Sequence, residues 1–210
     1  MPGSHSFMVY SLKGDAINYF LAMRYNVSEA FQNGIFPFWS PYINLGYPLH
    51  ADLQTGVWNP LVFLISLTGK YDIYRFHIET ILVIIIAGIG MYRLLSYFLA
   101  ERKVLLCISA AYMTTGLIAD GGQFITWLYA AAILPFVFLY TIKCFRELSV
   151  RNAFGLGVFH SLMFLCAYTA DFILLSYIIA LFALLSFFKE QQKKGVPMAL
   201  KESARQSLIA

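Results

Sequence analysis

The chain has 210 residues, 60% of them hydrophobic, 17% aromatic and 12% charged, with a formal net charge of +4 and a mean hydropathy of +0.67. A water-soluble domain carries about 25% charged residues, so this composition excludes an ordinary soluble surface and indicates an integral membrane protein. The small positive excess, without a basic cluster interleaved with aromatics, excludes a nucleic-acid groove.

The opening "MPGSHSFMVY" lacks the basic start and apolar centre of a cleavable signal peptide. In "DAINYFLAMRYNVSEAFQNG" the apolar residues Phe20, Met23, Val27, Ala30 and Phe31 recur at helical spacing. That pattern predicts an amphipathic helix from about Asp15 to Asn33, lying on the membrane surface with Arg24 and Glu29 toward water or headgroups. Asp15 is placed to cap its start and Gly34 to end it at the C′ position. "NVS" at Asn26 matches a glycan acceptor pattern but falls in mid-helix. "IFPFWSPYINLGYPLHADLQTG" follows, and its prolines and glycines forbid a long helix. Phe36, Phe38, Trp39, Tyr42 and Tyr47 there suit a belt at headgroup level. "VWNPLVFLISL" is too short to span and predicts an interfacial or re-entrant helix.

Beyond residue 75 the hydropathy predicts about five transmembrane helices, each needing about 20 apolar residues. They lie at 74–99, 104–119, 127–145, 153–169 and 171–188, with Pro135 kinking the third and "AYTAD" dividing the last two. Arg102 and Lys103 follow the first span; Lys143, Arg146 and Arg151 follow the third; Lys189, Lys193 and Lys194 follow the fifth. The alternate turns, "DGGQF" and "TAD", carry no Lys or Arg. The positive-inside rule then puts the basic turns and the C-terminus in the cytoplasm. The expected organisation is all-α: an extracytoplasmic loop over 1–75, a helix bundle over 76–188 and a cytoplasmic tail over 189–210, in a cell membrane. Cys107, Cys144 and Cys166 sit apart in apolar runs, as small core residues do.

On this assignment Asp15, Asp52, Asp72, Glu79, Asp120, Asp171 and His50 share the outer face. His77 and Glu79 fall about one turn inside the first span, either in the wet interface or as costly, functional groups. Asp171 suits a helix cap and Asp120 a turn before glycines. Asp15 is either a cap, worth about 1 kcal/mol, or a working carboxylate. No GxSxG, HExxH, P-loop or GxGxxG motif occurs.

Asp15 ahead of an amphipathic helix, followed by "NGIFPFWSPYINLGYPLHADLQTGVWNPL", closely resembles the first outer loop of GT-C-fold membrane glycosyltransferases, especially the YfhO-like family. The matching positions are Asp15, Gly34, Pro37, Trp39, Pro41, Tyr42, Gly46, Pro48, Gln54 and Pro60. "GGQFITWLYAAAILPFVF" is similar to a later outer loop and proline-containing span, whereas "AYTAD" stands where relatives carry a Gly-His-Pro-Gln-like turn. Relatives have a spanning helix before the Asp and many spans afterwards, so the resemblance implies a piece of a longer protein with a partial GT-C fold.

The implied activity is transfer of a sugar from a polyprenyl-phosphate-linked donor to a glycan, lipid or protein acceptor on the outer face. Asp15 would be the catalytic base, or would hold a divalent cation against the donor phosphate. Asp52, His50, Gln54, Trp39, Tyr42 and Arg24 would contact substrate, with Lys13, Arg24, Lys70 and Arg75 as candidate phosphate partners. The competing expectation is a non-catalytic polytopic protein, a lipid-linked-glycan transporter or a scaffold. A transporter would place polar residues near mid-membrane, where these spans offer only Ser, Thr and small residues.

Overall fold

The computed structural model describes residues 14–206 apart from Asn44, Gly121 and Leu148. Lys13, the side chain of Asp120 and the side chains from Lys189 onward, those of Lys193 and Lys194 included, lie outside the described residues. Among the described residues the architecture is all-helical, without strands; Ser40 and Tyr47 form an isolated antiparallel bridge.

A π-helical turn, Ala16–Leu21, runs directly into α1, Ala22–Gln32. The Gly14 carbonyl accepts from the Asn18 N–H at 3.1 Å, so the helical hydrogen bonding starts ahead of Asp15. Asp15 itself has helical φ and ψ (−66°, −26°) and makes no side-chain cap hydrogen bond. A cap needs a non-helical backbone at that residue; the expected capping role of Asp15 is therefore not filled. The other end is as the sequence indicated. Gly34 is left-handed (φ 68°), its N–H donates to the Phe31 carbonyl at 3.0 Å, and the Ile35 N–H donates to Ala30 at 2.9 Å. That pair of bonds is a Schellman C-cap.

The predicted apolar stripe is the buried one: Ala16, Phe20, Met23 and Val27 enter the core, and Phe31 meets the Phe63 ring edge-on at 5.2 Å. Arg24 departs from expectation. Its side chain is 1% exposed, against Glu79 at 0%, rather than turned to water or headgroups. Glu29 remains partly exposed and pairs with Lys70 at 2.9 Å.

Two 3₁₀ turns, Leu49–Ala51 and Leu53–Thr55, lead through Gly56 to α2, Pro60–Ser66. Asn59 caps α2 by accepting from the Leu61 N–H at 3.0 Å, and Pro60 occupies the first position, where no N–H is needed. Seven residues advance about 10 Å, so α2 cannot cross a bilayer.

The next helices are α3 (Ile73–Leu95), α4 (Arg102–Met113), α5 (Gly116–Asp120), α6 (Ile125–Arg146), α7 (Val150–Cys166) and α8 (Thr169–Gln206). Of the described helices, α3, α6 and the Thr169–Ser186 part of α8 are long and apolar enough to cross a membrane. α7 is apolar but has 17 residues. The expected span at 104–119 is divided between α4 and α5 at Thr114 and Thr115. Their hydroxyls donate to the Ala111 and Tyr112 carbonyls at 3.0 and 2.9 Å, competing with the helical ladder. Pro135 lies inside α6 without ending it, and the chain breaks between α7 and α8 at Ala167 and Tyr168, within "AYTAD".

α6 is the central helix: 67% of its apolar window is buried, compared with 28% for α3 and 6% for α8. Glycines of α3 admit its neighbours closely, since a Cβ on Gly88 would lie 2.4 Å from the Met113 sulfur and one on Gly90 2.7 Å from the Phe136 ring. Small residues at such crossings let helices pack without a hydrophobic driving force.

Gly56 is a tight joint in the loop. It has φ 84°, and a Cβ there would lie 2.2 Å from the Arg24 guanidinium. Gly56→Ala should cost at least about 2 kcal/mol, combining left-handed strain with displacement of a buried cation. Gly34→Ala, with open space around its Cβ, should cost about 1 kcal/mol. Thermal unfolding in detergent would compare them; equal losses would mean that Gly56 is not constrained by Arg24.

Candidate functional site

The starts of α3 and α6 and the α7–α8 junction share one end of the bundle, where the loop segment packs. A cavity of about 520 Å³ lies there. Its polar wall is Asp15, Tyr19, Tyr47, Asp52 and Gln54 from the loop segment; Thr126, Trp127 and Tyr168 close it from the bundle. Tyr19 is placed beside Asp15 because residues four apart share a helix face. Gly14 brings this turn against the loop before α6, a Cβ on it falling 3.0 Å from the Gln123 amide.

Asp52 accepts three hydrogen bonds. Tyr19 and Tyr47 both donate their hydroxyls to Oδ2, Tyr47 at 2.6 Å, and the Gln54 N–H donates to Oδ1 at 2.9 Å. Burial, followed by the hydrogen bond and charge of Asp52, raises the pKa of Tyr19 far above its ordinary value and so suppresses its ionisation. For Tyr47 the hydrogen bond to Asp52 is the leading cause of the rise. Both phenols consequently remain donors throughout the physiological range. Asp15 differs, because its exposed carboxylate lines the cavity and makes no hydrogen bond or ion pair among the described residues.

Gln54 also joins the cavity to the interior, since its carbonyl accepts from Arg24 Nη1 at 2.9 Å. Arg24 lies 3.4 Å from both Glu79 oxygens. Tyr71 and Tyr129 donate their hydroxyls to the same carboxylate at 2.7 and 2.9 Å. Burial and the nearby Glu79 charge hold Tyr71 protonated, its ionisation raised well beyond the normal range. Glu79 is thus fully buried and paired, not in a wet interface. His77 bonds its own helix, Nδ1 lying 2.7 Å from the Ile73 carbonyl.

Of the residues the sequence singled out, Asp15, Asp52 and Gln54 meet in the cavity. Arg24 is enclosed with Glu79 and presents no free guanidinium to a substrate. Lys70 pairs with Glu29 and Arg75 with Asp72 at 3.4 Å, so each described cation proposed for phosphate at this end already has a carboxylate. His50 stands apart, its Nδ1 2.9 Å from the Phe38 carbonyl and its ring against Phe38. Trp39 and Tyr42, 59% and 83% exposed, border a separate groove with Asn26 and Ala30.

The sequence reading missed Tyr19, Trp127 and Tyr168. Only Tyr19 carried a signal, its spacing from Asp15. Asp171, expected as a cap, instead sits in the first turn of α8 beside an adjoining apolar cavity of about 420 Å³. Trp127 borders both cavities.

A divalent cation fits here only in part. No group of three or more His, Cys, Asp or Glu residues gathers among the described residues, and Asp52 has its oxygens occupied. Asp15 is one free carboxylate, suited to an ion that takes its other ligands from water and phosphate.

Neither family models, curated proteins nor solved structures compared with this chain match it.

Two experiments test this geometry. Tyrosinate absorbance during alkaline titration should show Tyr19 and Tyr47 failing to ionise near the ordinary 10.0, and Asp52→Asn should release Tyr47 first. The stability this pair contributes is complete below that value and fades as pH rises through the elevated folded one. Unchanged titration in Asp52→Asn would remove Asp52 as the cause. Separately, Glu79→Leu should cost about 3–5 kcal/mol by leaving Arg24 buried and unpaired, and Arg24→Met in the same chain should restore much of it. Additive losses in that double-mutant cycle would show that the two charges are not coupled.

Proposed function

We propose that this chain is part of a membrane glycosyltransferase that moves a sugar from a polyprenyl-phosphate-linked donor to an acceptor hydroxyl at the outer membrane surface. The supporting observation is the unpaired carboxylate of Asp15 in a cavity of about 520 Å³ where the loop segment meets the helix ends. A structural cap would use that carboxylate; here it has no such bond. The family resemblance of residues 15–60 supplies the substrate class. In this reading the chain crosses the bilayer about five times, α4 with α5 making the second crossing and α7 the fourth, shorter spans being accommodated by local bilayer thinning. The cavity end is extracytoplasmic and the basic turns are cytoplasmic.

Asp15 accepts the proton of the acceptor hydroxyl as its oxygen bonds to the anomeric carbon. The bond from that carbon to the phosphate oxygen breaks, and the phosphate leaves with the electron pair. Attack opposite the leaving group inverts the sugar carbon. Tyr19 and Tyr47 fix Asp52 and hold that wall of the cavity, while Trp127 and Tyr168 offer ring faces for a sugar. In the alternative role Asp15 would not be the base but would hold a divalent cation, which would supply the positive charge that Arg24, Lys70 and Arg75 do not.

Asp15→Asn retains the shape and removes both charge and basicity. Sugar transfer from a polyprenyl-phosphate donor in proteoliposomes should fall by about 10²–10⁴-fold, with insertion and thermal stability unchanged because no cap is lost. Asp52→Asn should give an intermediate loss and His50→Ala almost none. Wild-type transfer by a well-inserted Asp15→Asn protein would remove Asp15 from the chemistry.

A further inference from the structure

The opposite end of the bundle carries a different assembly. Arg93 near the end of α3, Lys143 and Arg146 in the last turn of α6, and Arg151 in the first turn of α7 converge there. None of the four forms an ion pair among the described residues. Two tyrosines lie under Lys143 and Arg146 instead. Lys143 Nζ lies 5.9 Å from the Tyr97 ring centre and 5.2 Å from that of Tyr140, and Arg146 Cζ lies 5.1 Å from Tyr97. A cavity of about 390 Å³ opens among Lys143, Arg146, Arg151 and Asn152. Glu147 borders it too, but no cation among the described residues reaches within ion-pair distance of its carboxylate.

A second cavity, of about 420 Å³, adjoins it, and the two share Tyr97, Tyr140 and Lys143 in their walls. The second has Arg93 at its rim and Ile89, Phe136, Leu139 and Phe159 along its walls. Its aromatic wall is built: Phe136 stacks on Phe159 at 4.5 Å, and Tyr140 lies against Phe159 at 5.5 Å. Two glycines make room for those rings. A Cβ on Gly155 would lie 2.2 Å from Tyr140, and one on Gly90 2.7 Å from Phe136.

We propose that these joined cavities bind one anionic phospholipid, its phosphate among Lys143, Arg146 and Arg151 and an acyl chain along the crevice between α3, α6 and α7. Cations at a membrane interface need no site to be accommodated, because they reach headgroups by snorkelling. Here, however, cations from three helices border two adjoining cavities without an ion pair among the described residues, and Lys143 and Arg146 lie over tyrosine rings. Like charges so gathered are stabilised by a shared anion, and phosphate oxygens match several guanidinium and ammonium donors together. The apolar side chains in the adjoining cavity, Ile89, Phe136, Leu139 and Phe159, select a lipid over a free phosphate, which has no use for them. Basic pockets between helices at a membrane face bind anionic headgroups in this way. The inference requires the helices to lie in a bilayer and is independent of glycosyl transfer.

The test uses the whole chain in phosphatidylcholine vesicles containing spin-labelled phosphatidylglycerol, reading the preference of motionally restricted label for the anionic lipid. Lys143→Gln with Arg146→Gln should reduce that preference at least about fivefold, roughly the effect of one interfacial charge. Arg102→Gln with Lys103→Gln removes two charges from the same end outside the cavities and should reduce it far less. Equal reductions would overturn the site in favour of a diffuse basic surface. Displacement of the labelled lipid by inorganic phosphate, but not by chloride of equal ionic strength, would overturn the lipid assignment and leave a phosphate site.

Discussion

Arg24 and Glu79 are the two charges around which the rest of the molecule is arranged. Taking both out of water costs several kcal/mol per ion, and their mutual distance of 3.4 Å is long for a charge-assisted bond. The short bonds come from elsewhere: Tyr71 and Tyr129 to the carboxylate, and the guanidinium to the Gln54 carbonyl. The charges are therefore tolerated because five elements supply partners. In doing so, they fasten α1, the 3₁₀ turn at Gln54, Tyr71 just ahead of α3, α3 itself and α6 to one point. A surface helix that could have floated on the bilayer is thereby fixed to the bundle.

This fixing reaches the cavity through one residue. Gln54 accepts from Arg24 with its carbonyl and donates to Asp52 with its N–H, so the orientation of Asp52 follows from the buried pair. Gly56 is needed two residues later because the guanidinium occupies the space of a side chain. Structural and candidate chemical residues are consequently one network. A change at Glu79 is transmitted to the cavity without any contact between Glu79 and the cavity wall.

Much of this was legible in the sequence, with one informative failure. The stripe Phe20, Met23, Val27 and Phe31, the C′ role of Gly34, the short helix after Asn59 and the break in "AYTAD" all rest on local spacing or backbone preference, which sequence carries directly. Arg24 also lies on that stripe, four residues after Phe20 and three before Val27. Glu79 lies three after Phe76 and four before Val83 on the buried face of α3. Periodicity alone places both inside, and only their charge argued otherwise. Two opposite charges on two core stripes are a signal for a pair, which a residue-by-residue reading overlooks. The Tyr19–Asp52–Tyr47 arrangement had no comparable signal, since it depends on how the proline-rich loop returns over the π-helical turn.

The placement of charge at the two ends gives a final physical reason for the arrangement. At the cavity end Arg24, Lys70 and Arg75 are each matched to a carboxylate, whereas Arg93, Lys143, Arg146 and Arg151 at the other end have none within ion-pair distance among the described residues. A cation beside a carboxylate favours its charged form and weakens it as a proton acceptor. Enclosing Arg24 with Glu79 keeps that guanidinium out of the cavity, and among the described residues no cation lies against Asp15. On the proposed function, the buried pair therefore leaves Asp15 free either to serve as base or to take up a mobile cation, and a donor phosphate there meets no fixed charge from Arg24.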